Sequence, residues 1–161
     1  GLRGGDVVMG IGGRAVDDPQ GLRFRIATMP VGEKASFAVW RKGKMETVVV
    51  DLIAPPEDPP RQKTEIDGIN PLAGATVANL SPALAEELNL DSFDTGVIIL
   101  AIRDGSTADR LRFRPGDRIA AIESKPVRSV GDLRQSLNSR PERWRMTVVR
   151  EGREVSLDFK R

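Results

Sequence analysis

The chain has 161 residues, of which 39% are hydrophobic and 30% charged, the composition of a globular chain with a modest core. It contains no histidine and no cysteine, which excludes a Ser-His-Asp triad, a histidine base, a thiolate nucleophile and a zinc–thiolate site within it. The 25 basic and 23 acidic residues leave a net charge of +2, which argues against a dedicated nucleic-acid binder. We therefore expect no metal, no cofactor and no nucleic-acid partner.

The sequence contains no segment that resembles a membrane helix or a signal peptide. The longest apolar run, residues 96–102, is far shorter than the roughly 20 residues that a membrane helix needs, so no membrane insertion is expected. The first residues show neither the charged region nor the apolar region of a signal peptide. The chain begins as if inside a folded unit, and we expect it to be a fragment of something longer.

Proline content divides the chain. Four prolines lie within residues 54–61, and proline fixes φ and cannot donate to a sheet, so this composition predicts a semi-extended linker. The expected organisation is a first domain over residues 1–53, a linker over 54–65 and a second domain over 66–161.

The two predicted domains repeat each other. Residues 4–11 match residues 115–122 at an offset of 111, and residues 40–44 match residues 149–153 after a two-residue difference. A period of this length is typical of tandem copies of one domain rather than of a solenoid.

The elements of each copy follow in chain order. A Gly-Asp turn leads into a short apolar strand, over 7–11 and 119–122, and then into a helix with apolar residues near helical spacing. Ser129 is the predicted N-cap of the second of these helices. A hairpin ends each copy, over 35–52 and 145–159.

The second copy has an additional front half. It is expected to contain a short strand within 72–80, a helix that begins after the N-cap Ser81, an apolar strand over 96–102 and a helical turn over 107–111. Only four residues precede Gly5-Asp6 in the first copy, so the first domain is predicted to be truncated.

This order of elements resembles a PDZ domain of the bacterial type. The first copy carries the pattern in Gly1-Leu2, Gly5-Asp6 and Gly12-Gly13, and the second in Pro115-Gly116-Asp117 and the strand after it. Residues 80–90 followed by 96–99 are similar to the start of a PDZ domain in HtrA/DegP-type (Do family) serine proteases. The resemblance implies an α+β fold of two PDZ-like, β-rich, partly open barrels with flanking helices, the first truncated at its N-terminus.

The same resemblance implies a function. The chain is expected to be the non-catalytic, regulatory PDZ region of a periplasmic HtrA-like serine protease of protein quality control, with the protease domain absent. PDZ domains bind an extended peptide by strand addition, while a loop of backbone N–H groups receives the terminal carboxylate. The expected partners are C-terminal or unfolded peptide segments and neighbouring subunits of the parent protein.

The resemblance also assigns site residues. The carboxylate-binding loop is expected around Gly74, and the other wall of the groove on the last long helix. Because Ala73 and Ala75 are small where the family has larger side chains, we expect a shallow pocket and weak binding. The predicted site residues are Leu72, Ala73, Gly74, Ala75, Thr76, Val77, Val130, Leu133, Arg134 and Leu137.

Two alternatives remain at this point. The second domain could be an assembly module that docks on a neighbouring subunit and binds little or no peptide, which the shallow pocket favours. An enzyme would need a Ser-Lys arrangement, and Ser124 and Lys125 are adjacent residues with no reason to converge.

Overall fold

The computed structural model describes residues 1–91, 94–139 and 141–160. The chain divides into two compact units, unit 1 (Gly1–Ala54) and unit 2 (Pro55–Arg161). Both units are mostly β-sheet with few helices.

Unit 1 is a four-stranded antiparallel sheet with one helix. The elements are β1 (Val7–Ile11), β2 (Arg14–Ala15), α1 (Pro19–Ala27), β3 (Lys34–Arg41) and β4 (Lys44–Asp51). The strand order is β2-β1-β3-β4. Strand β3 alternates between buried and exposed residues, so its inward side chains form the core with Ile11 and Val48.

The described residues of unit 2 form seven strands and three helices. The strands are β5 (Thr64–Glu65), β6 (Ala75–Asn79), β7 (Val97–Ile102), β8 (Arg118–Ile122), β9 (Lys125–Pro126), β10 (Arg143–Arg150) and β11 (Arg153–Lys160). The helices are α2 (Pro82–Glu87), α3 (Thr107–Arg110) and α4 (Val130–Leu137). The sheet order is β11-β10-β8-β7-β6-β5, and β9 pairs with β8 beside this path.

Two apolar clusters hold unit 2 together. The larger one joins residues of α4 to the inner face of the sheet, from Ile66 to Val148. The smaller one lies under α2 and includes Leu84 and Ile98. Strand β7 contributes to both clusters, because successive side chains of a strand point to opposite faces. This explains the continuous apolar run at 97–100.

The repeat in the sequence is a repeat of elements. The order β1-β2-α1-β3-β4 in unit 1 recurs as β8-β9-α4-β10-β11 in unit 2. The register recurs as well, since Val8 pairs with Val39 and the equivalent Ile119 pairs with Val148. The register of both pairings shifts at equivalent places, between Val8 and Gly10 in unit 1 and between Ile119 and Ala121 in unit 2.

Side-chain caps begin the helices. Ser81 accepts a hydrogen bond from Leu84 N at 3.2 Å, and Ser129 accepts one from Asp132 N at 3.1 Å, which confirms both predicted caps. In unit 1, Asp18 accepts from Gly21 N at 2.7 Å and caps α1 in the position equivalent to Ser129.

The segment predicted as a linker is partly ordered into unit 2. Pro56 O accepts a hydrogen bond from Ala83 N at 3.2 Å, and Thr64–Glu65 form strand β5 against β6. The prolines end at position 60, so the residues after them keep the backbone N–H groups that a ladder requires.

Candidate functional site

The structure brings together the two halves of the predicted site in unit 2. Leu72, Ala73 and Gly74 form the turn before β6, and the next three site residues begin that strand. Helix α4 packs beside β6, where Val130 N donates a hydrogen bond to Asn79 Oδ1 at 2.7 Å. Asn79 is itself buried, so this bond fixes the start of α4 against the end of β6.

The apolar residues predicted on the helix wall are core residues. Val130 and Leu133 are fully buried and Leu137 is 6% exposed, in one cluster with Leu72 and Val77. Only Arg134 of the four predicted helix residues is exposed. A ligand from outside would therefore contact α4 mainly through exposed polar residues such as Arg134, unless a segment that covers the apolar residues of α4 is displaced.

The outer edge of β6 is occupied by the chain itself. Strand β5 pairs antiparallel with β6, Thr64 opposite Val77 and Glu65 opposite Thr76. Ile66 N donates to Ala75 O at 2.8 Å, which extends the contact toward the turn. Sequence reasoning missed this pairing, because a strand of two residues leaves no periodic signal.

The same pairing continues at the other end of the strand. Asn79 N donates to Arg61 O at 2.7 Å, and Asn79 Nδ2 donates to Pro60 O at 2.8 Å. Residues 61–66, which we call the edge segment, therefore follow β6 along its whole length.

The backbone amides of the predicted carboxylate loop all have acceptors within the chain. Leu72 N donates to Asn70 Oδ1 at 3.0 Å, and Ala73 N donates to Asn70 O at 3.3 Å. Gly74 N donates to Ile66 O at 2.7 Å, and Ala75 N donates to Leu72 O at 2.9 Å. Carboxylate capture by this loop stays a prediction, and it requires at least the bond from Gly74 to be exchanged.

Gly74 has a structural reason of its own to be glycine. Its φ is +90°, in the region that side chains rarely adopt, and an added Cβ would lie 2.2 Å from Ser106 Cβ. Ser106 caps α3, and Gly74 O accepts from Arg103 N at 2.9 Å. The glycine therefore lets the turn pack directly against the start of α3.

Ion pairs lie at both ends of the edge segment. Arg61 bonds Glu57 at 2.6 Å and also pairs with Glu87, and at the other end Glu65 bonds Arg103 at 2.9 Å. Hydrogen bonding to Glu87 and Glu57 raises the pKa of Arg61, and the bond from Arg61 lowers the pKa of Glu87. All of these side chains are at least a third exposed, so each pair is a weak tether.

Two open cavities flank the turn that follows the edge segment. One, of about 280 Å³, lies between residues 64–70 and the Arg134, Leu137 and Asn138 side of α4. The other, of about 320 Å³, is bordered by Ile69, Trp144 and neighbouring apolar residues. Ile69 is 68% exposed, so an apolar side chain stands in solvent beside the site.

The repeated Gly-Asp motif has a structural role. Asp6 forms a two-bond pair with Arg41, Oδ1 to Nε and Oδ2 to Nη2, both at 2.7 Å. Asp117 forms the same two bonds with Arg150 at the same distances. The side-chain hydrogen bond from Arg41 lowers the pKa of Asp6 to about 2. Each pair ties the Gly-Asp turn to the last hairpin of its unit.

The described residues were also compared with what a metal site and a membrane-spanning helix require. Among residues 1–91, 94–139 and 141–160, no group of three or more acidic side chains is arranged to hold a metal ion. Within the same described ranges, no helix has the length and apolarity that a membrane crossing requires.

The chain is similar in sequence to a known domain family and to known proteases. Residues 98–150 match the family model of the PDZ domain. The periplasmic serine endoprotease DegP of Salmonella typhimurium is 28% identical over 150 residues, which are 93% of this chain and 29% of that protein. A probable periplasmic serine endoprotease, DegP-like, of Brucella suis is 26% identical over 149 residues, 92% of this chain and 28% of that protein.

Among solved structures, the HtrA-type protease AlgW with decapeptide matches at 18% identity and a TM-score of 0.49. The match covers 79% of this chain and 48% of that one. The chain spans less than a third of the length of the curated relatives it matches.

Proposed function

We propose, from the premise that this chain is a PDZ-domain region of the HtrA/DegP type, that it is the peptide-binding and regulatory part of a larger periplasmic serine protease. The premise rests on the PDZ match and on relatives that are periplasmic serine endoproteases. The chain holds no histidine or cysteine, so the proteolytic step belongs to another part of the parent protein. Its contribution is recognition of unfolded or C-terminal segments in protein quality control.

One observation supports peptide recognition above the others. The β6 edge, beside α4, accepts an extended polypeptide strand, because it already pairs with the edge segment along its length. Strand addition supplies main-chain hydrogen bonds regardless of ligand sequence, and a pocket for an alternate side chain supplies selectivity. A protease that removes misfolded chains needs this combination.

The position of Ile66, next to the turn that contains Gly74, determines which ligand side chain is preferred; it is called the loop-end position. Ile66 is 4% exposed and belongs to the cluster that contains Leu133 and Leu137. We therefore propose that a ligand places a large aliphatic residue at this position. The small side chains at Ala73 and Ala75 make its other contacts shallow, so affinity is low.

The test is a titration of the 161-residue chain with labelled extended peptides, measured by fluorescence anisotropy. A peptide with an isoleucine at the loop-end position should bind saturably, and its isoleucine-to-serine counterpart should bind at least tenfold less. Absence of saturable binding for every peptide would contradict peptide recognition by this chain.

Subunit assembly is the second candidate. It was expected of the second domain, but the observation that favours it, a row of exposed apolar side chains, lies in unit 1. Val7, Trp40 and Met45 lie opposite one another across β1, β3 and β4, and they are 54%, 46% and 54% exposed. Contiguous exposed apolar side chains of this size are typical of protein contacts. The proposed occupant is a neighbouring copy of the same chain.

The equivalent row of unit 2 has a different character. There Val149 of β10 pairs with Arg118 on one side and with Glu154 on the other. Met45→Glu therefore gives unit 1 the residue that unit 2 carries, and Gln20→Glu adds the same charge at an exposed residue of α1, whose apolar side packs on the core. Sedimentation should show that Met45→Glu lowers self-association while Gln20→Glu does not. Equal sedimentation of both variants and the parent chain would contradict the assembly role.

A further inference from the structure

The edge segment lies where an added peptide strand would lie, and it has the direction of a bound ligand. It runs antiparallel to β6, with its C-terminal end at the turn that contains Gly74. Ile66 O accepts the hydrogen bond from Gly74 N at 2.7 Å, in the place assigned to a ligand's last carbonyl group. Here that carbonyl belongs to a peptide bond, because the chain continues through Asp67.

The exposure pattern of the edge segment is that of a strand with one face inward. Ile66 is buried and Thr64 is half-buried, whereas Glu65 and Lys63 are exposed. Inward residues two positions apart are the contacts that an extended ligand makes in a groove. The outward Glu65 meets Arg103, which adds one polar contact to the recognition.

The ion pairs that hold the edge segment are weak enough for the segment to detach from β6. Its ion pairs, Arg61 with Glu57 and Glu87 and Glu65 with Arg103, are all solvent-exposed, and such pairs hold weakly. Four of the residues that precede it, within 54–60, are prolines, which take no part in a ladder as donors. Ile66 is the one fully inward side chain of the segment, so it is the main anchor.

We propose that the edge segment is a built-in competitor ligand, and that unit 2 binds an outside polypeptide only when that polypeptide displaces it from β6. The displacing ligand is an extended internal stretch of chain with a large aliphatic residue in the place of Ile66 and an acidic residue before it. A free carboxylate is not required, because Gly74 N already donates to an amide carbonyl, that of Ile66. This inference rests on the proposed peptide recognition and adds its regulation and its ligand class.

A reversible lock tests the competition. Glu65 and Thr76 lie directly opposite in the register, at a Cα separation of about 4.5–5.5 Å for such pairs, which a disulfide can bridge. Because the chain has no cysteine of its own, Glu65→Cys with Thr76→Cys gives one defined disulfide. The probe is a labelled peptide with the sequence of residues 61–68, acetylated and amidated, titrated into the full chain.

The reduced double variant should bind this probe saturably, and the oxidised form of the same protein should not bind it. Equal binding by the two forms would overturn the competition while peptide recognition stood. A second probe of residues 61–66 places its C-terminal group at Ile66, where Gly74 N donates. Binding of its free acid at least tenfold tighter than its amide would overturn the internal-segment class.

A matched pair of single variants tests release without a crosslink. Arg61→Glu reverses the charge that meets Glu57 and Glu87, whereas Lys63→Glu makes the same charge change at an exposed residue of the same segment. Because the apparent affinity follows the fraction of open protein, Arg61→Glu should bind the probe about three- to tenfold more tightly than Lys63→Glu. Equal affinities would contradict the role of the Arg61 ion pairs in holding the edge segment on β6. No binding by the parent chain, the reduced form or Arg61→Glu would overturn the proposed function and this inference together.

Discussion

Helices α1 and α4 occupy equivalent places in the two units, and they differ in what covers them. Leu133 and Leu137 of α4 are buried, whereas the equivalent Leu22 and Ile26 of α1 are only half-buried. Helix α4 packs beside β6, and no equivalent strand occurs among the described residues of unit 1. Helix α1 also lacks the one-sided apolar pattern of α4, since its Phe24 is 72% exposed, so the missing cover and the weaker pattern together accompany its lower burial.

Strands β1 and β8 show the same contrast at a sheet edge. Ile119 and Arg118 of β8 pair with β7, but the equivalent Val8 and Val7 face an open cavity of about 320 Å³. Each strand nevertheless keeps its Gly-Asp turn and its arginine partner on the last hairpin. The turn and the hairpin therefore form a frame that does not depend on the additional strands.

The largest expected effect separates a glycine of the site from a glycine of this frame. Gly74 and Gly116 have φ values of +90° and +91°, but only Gly74 has a neighbour within 4 Å of an added Cβ. Gly74→Ala should destabilise unit 2 by roughly 3–5 kcal/mol, from left-handed strain and overlap with Ser106 together. Gly116→Ala should cost about 1–2 kcal/mol, from strain alone.

Fluorescence of the buried Trp144 during denaturant unfolding reports on unit 2, with Trp40→Phe as the background that removes the other tryptophan. Equal losses for the two alanine variants would show that Ser106 moves aside at no cost. Lost peptide binding by a Gly74 variant would reflect the damaged fold and could not locate the site.

The second prediction compares the two Asp–Arg pairs. Asp117 is 1% exposed, and its removal leaves Arg150 with the Arg112 carbonyl at 3.1 Å, so Asp117→Ala should destabilise unit 2 by about 2–4 kcal/mol. Asp6→Ala should cost unit 1 less, because Arg41 keeps Glu46 at 2.8 Å. Separate unfolding of the two units, followed by amide NMR signals, measures both losses. A larger loss in unit 1 would show that the frame matters more where fewer strands cover it.

The sequence predicted the repeated frame well, because its elements are local. Caps such as Ser81 and Ser129, the hairpins and the apolar periodicity all act within a few residues. The pairing of Asp117 with Arg150 and of the edge segment with β6 joins residues far apart in the chain, so no local pattern reveals it.

The candidate site illustrates the same limit. Of the predicted turn and α4, Leu72 shares an apolar cluster with Leu133 and Leu137, while binding of a ligand there stays a prediction. Occupation of the β6 edge was not predicted, since the prolines of 54–60 indicated a linker and the two residues of β5 are too few for a periodic signal.

The third prediction uses pH to isolate the pair of unit 1. Hydrogen bonding to Arg41 lowers the folded-state pKa of Asp6 from 3.8 to about 2, so the pair stabilises the folded state fully above the unfolded pKa. That stabilisation is lost as the pH falls from about 4 toward 2. Asp6→Asn should therefore lower the unfolding midpoint of unit 1 at pH 6 and have little effect near pH 2. A difference that stays constant over this range would mean that the charge of Asp6 does not contribute.

The smallest expected effect concerns the caps of the two equivalent helices. Ser129 caps α4 and Asp18 caps α1, each through one bond to an amide three residues later. Alanine at either position removes that bond, which costs about 1 kcal/mol. Ser129→Asp should restore or slightly exceed the parent stability, because a carboxylate at a helix N-terminus interacts favourably with the helix dipole.

Hydrogen exchange distinguishes how each unit absorbs the loss of its cap. Because α4 is held on a buried face, Ser129→Ala should reduce the global stability of unit 2 with its helix amides still exchanging late. Because no residue of α1 is buried, Asp18→Ala should instead let α1 open locally, with faster exchange confined to its first turn. If α1 and α4 lose protection in the same way, the cover over α4 adds nothing to its local stability, and the contrast between the units would lie only in exposure.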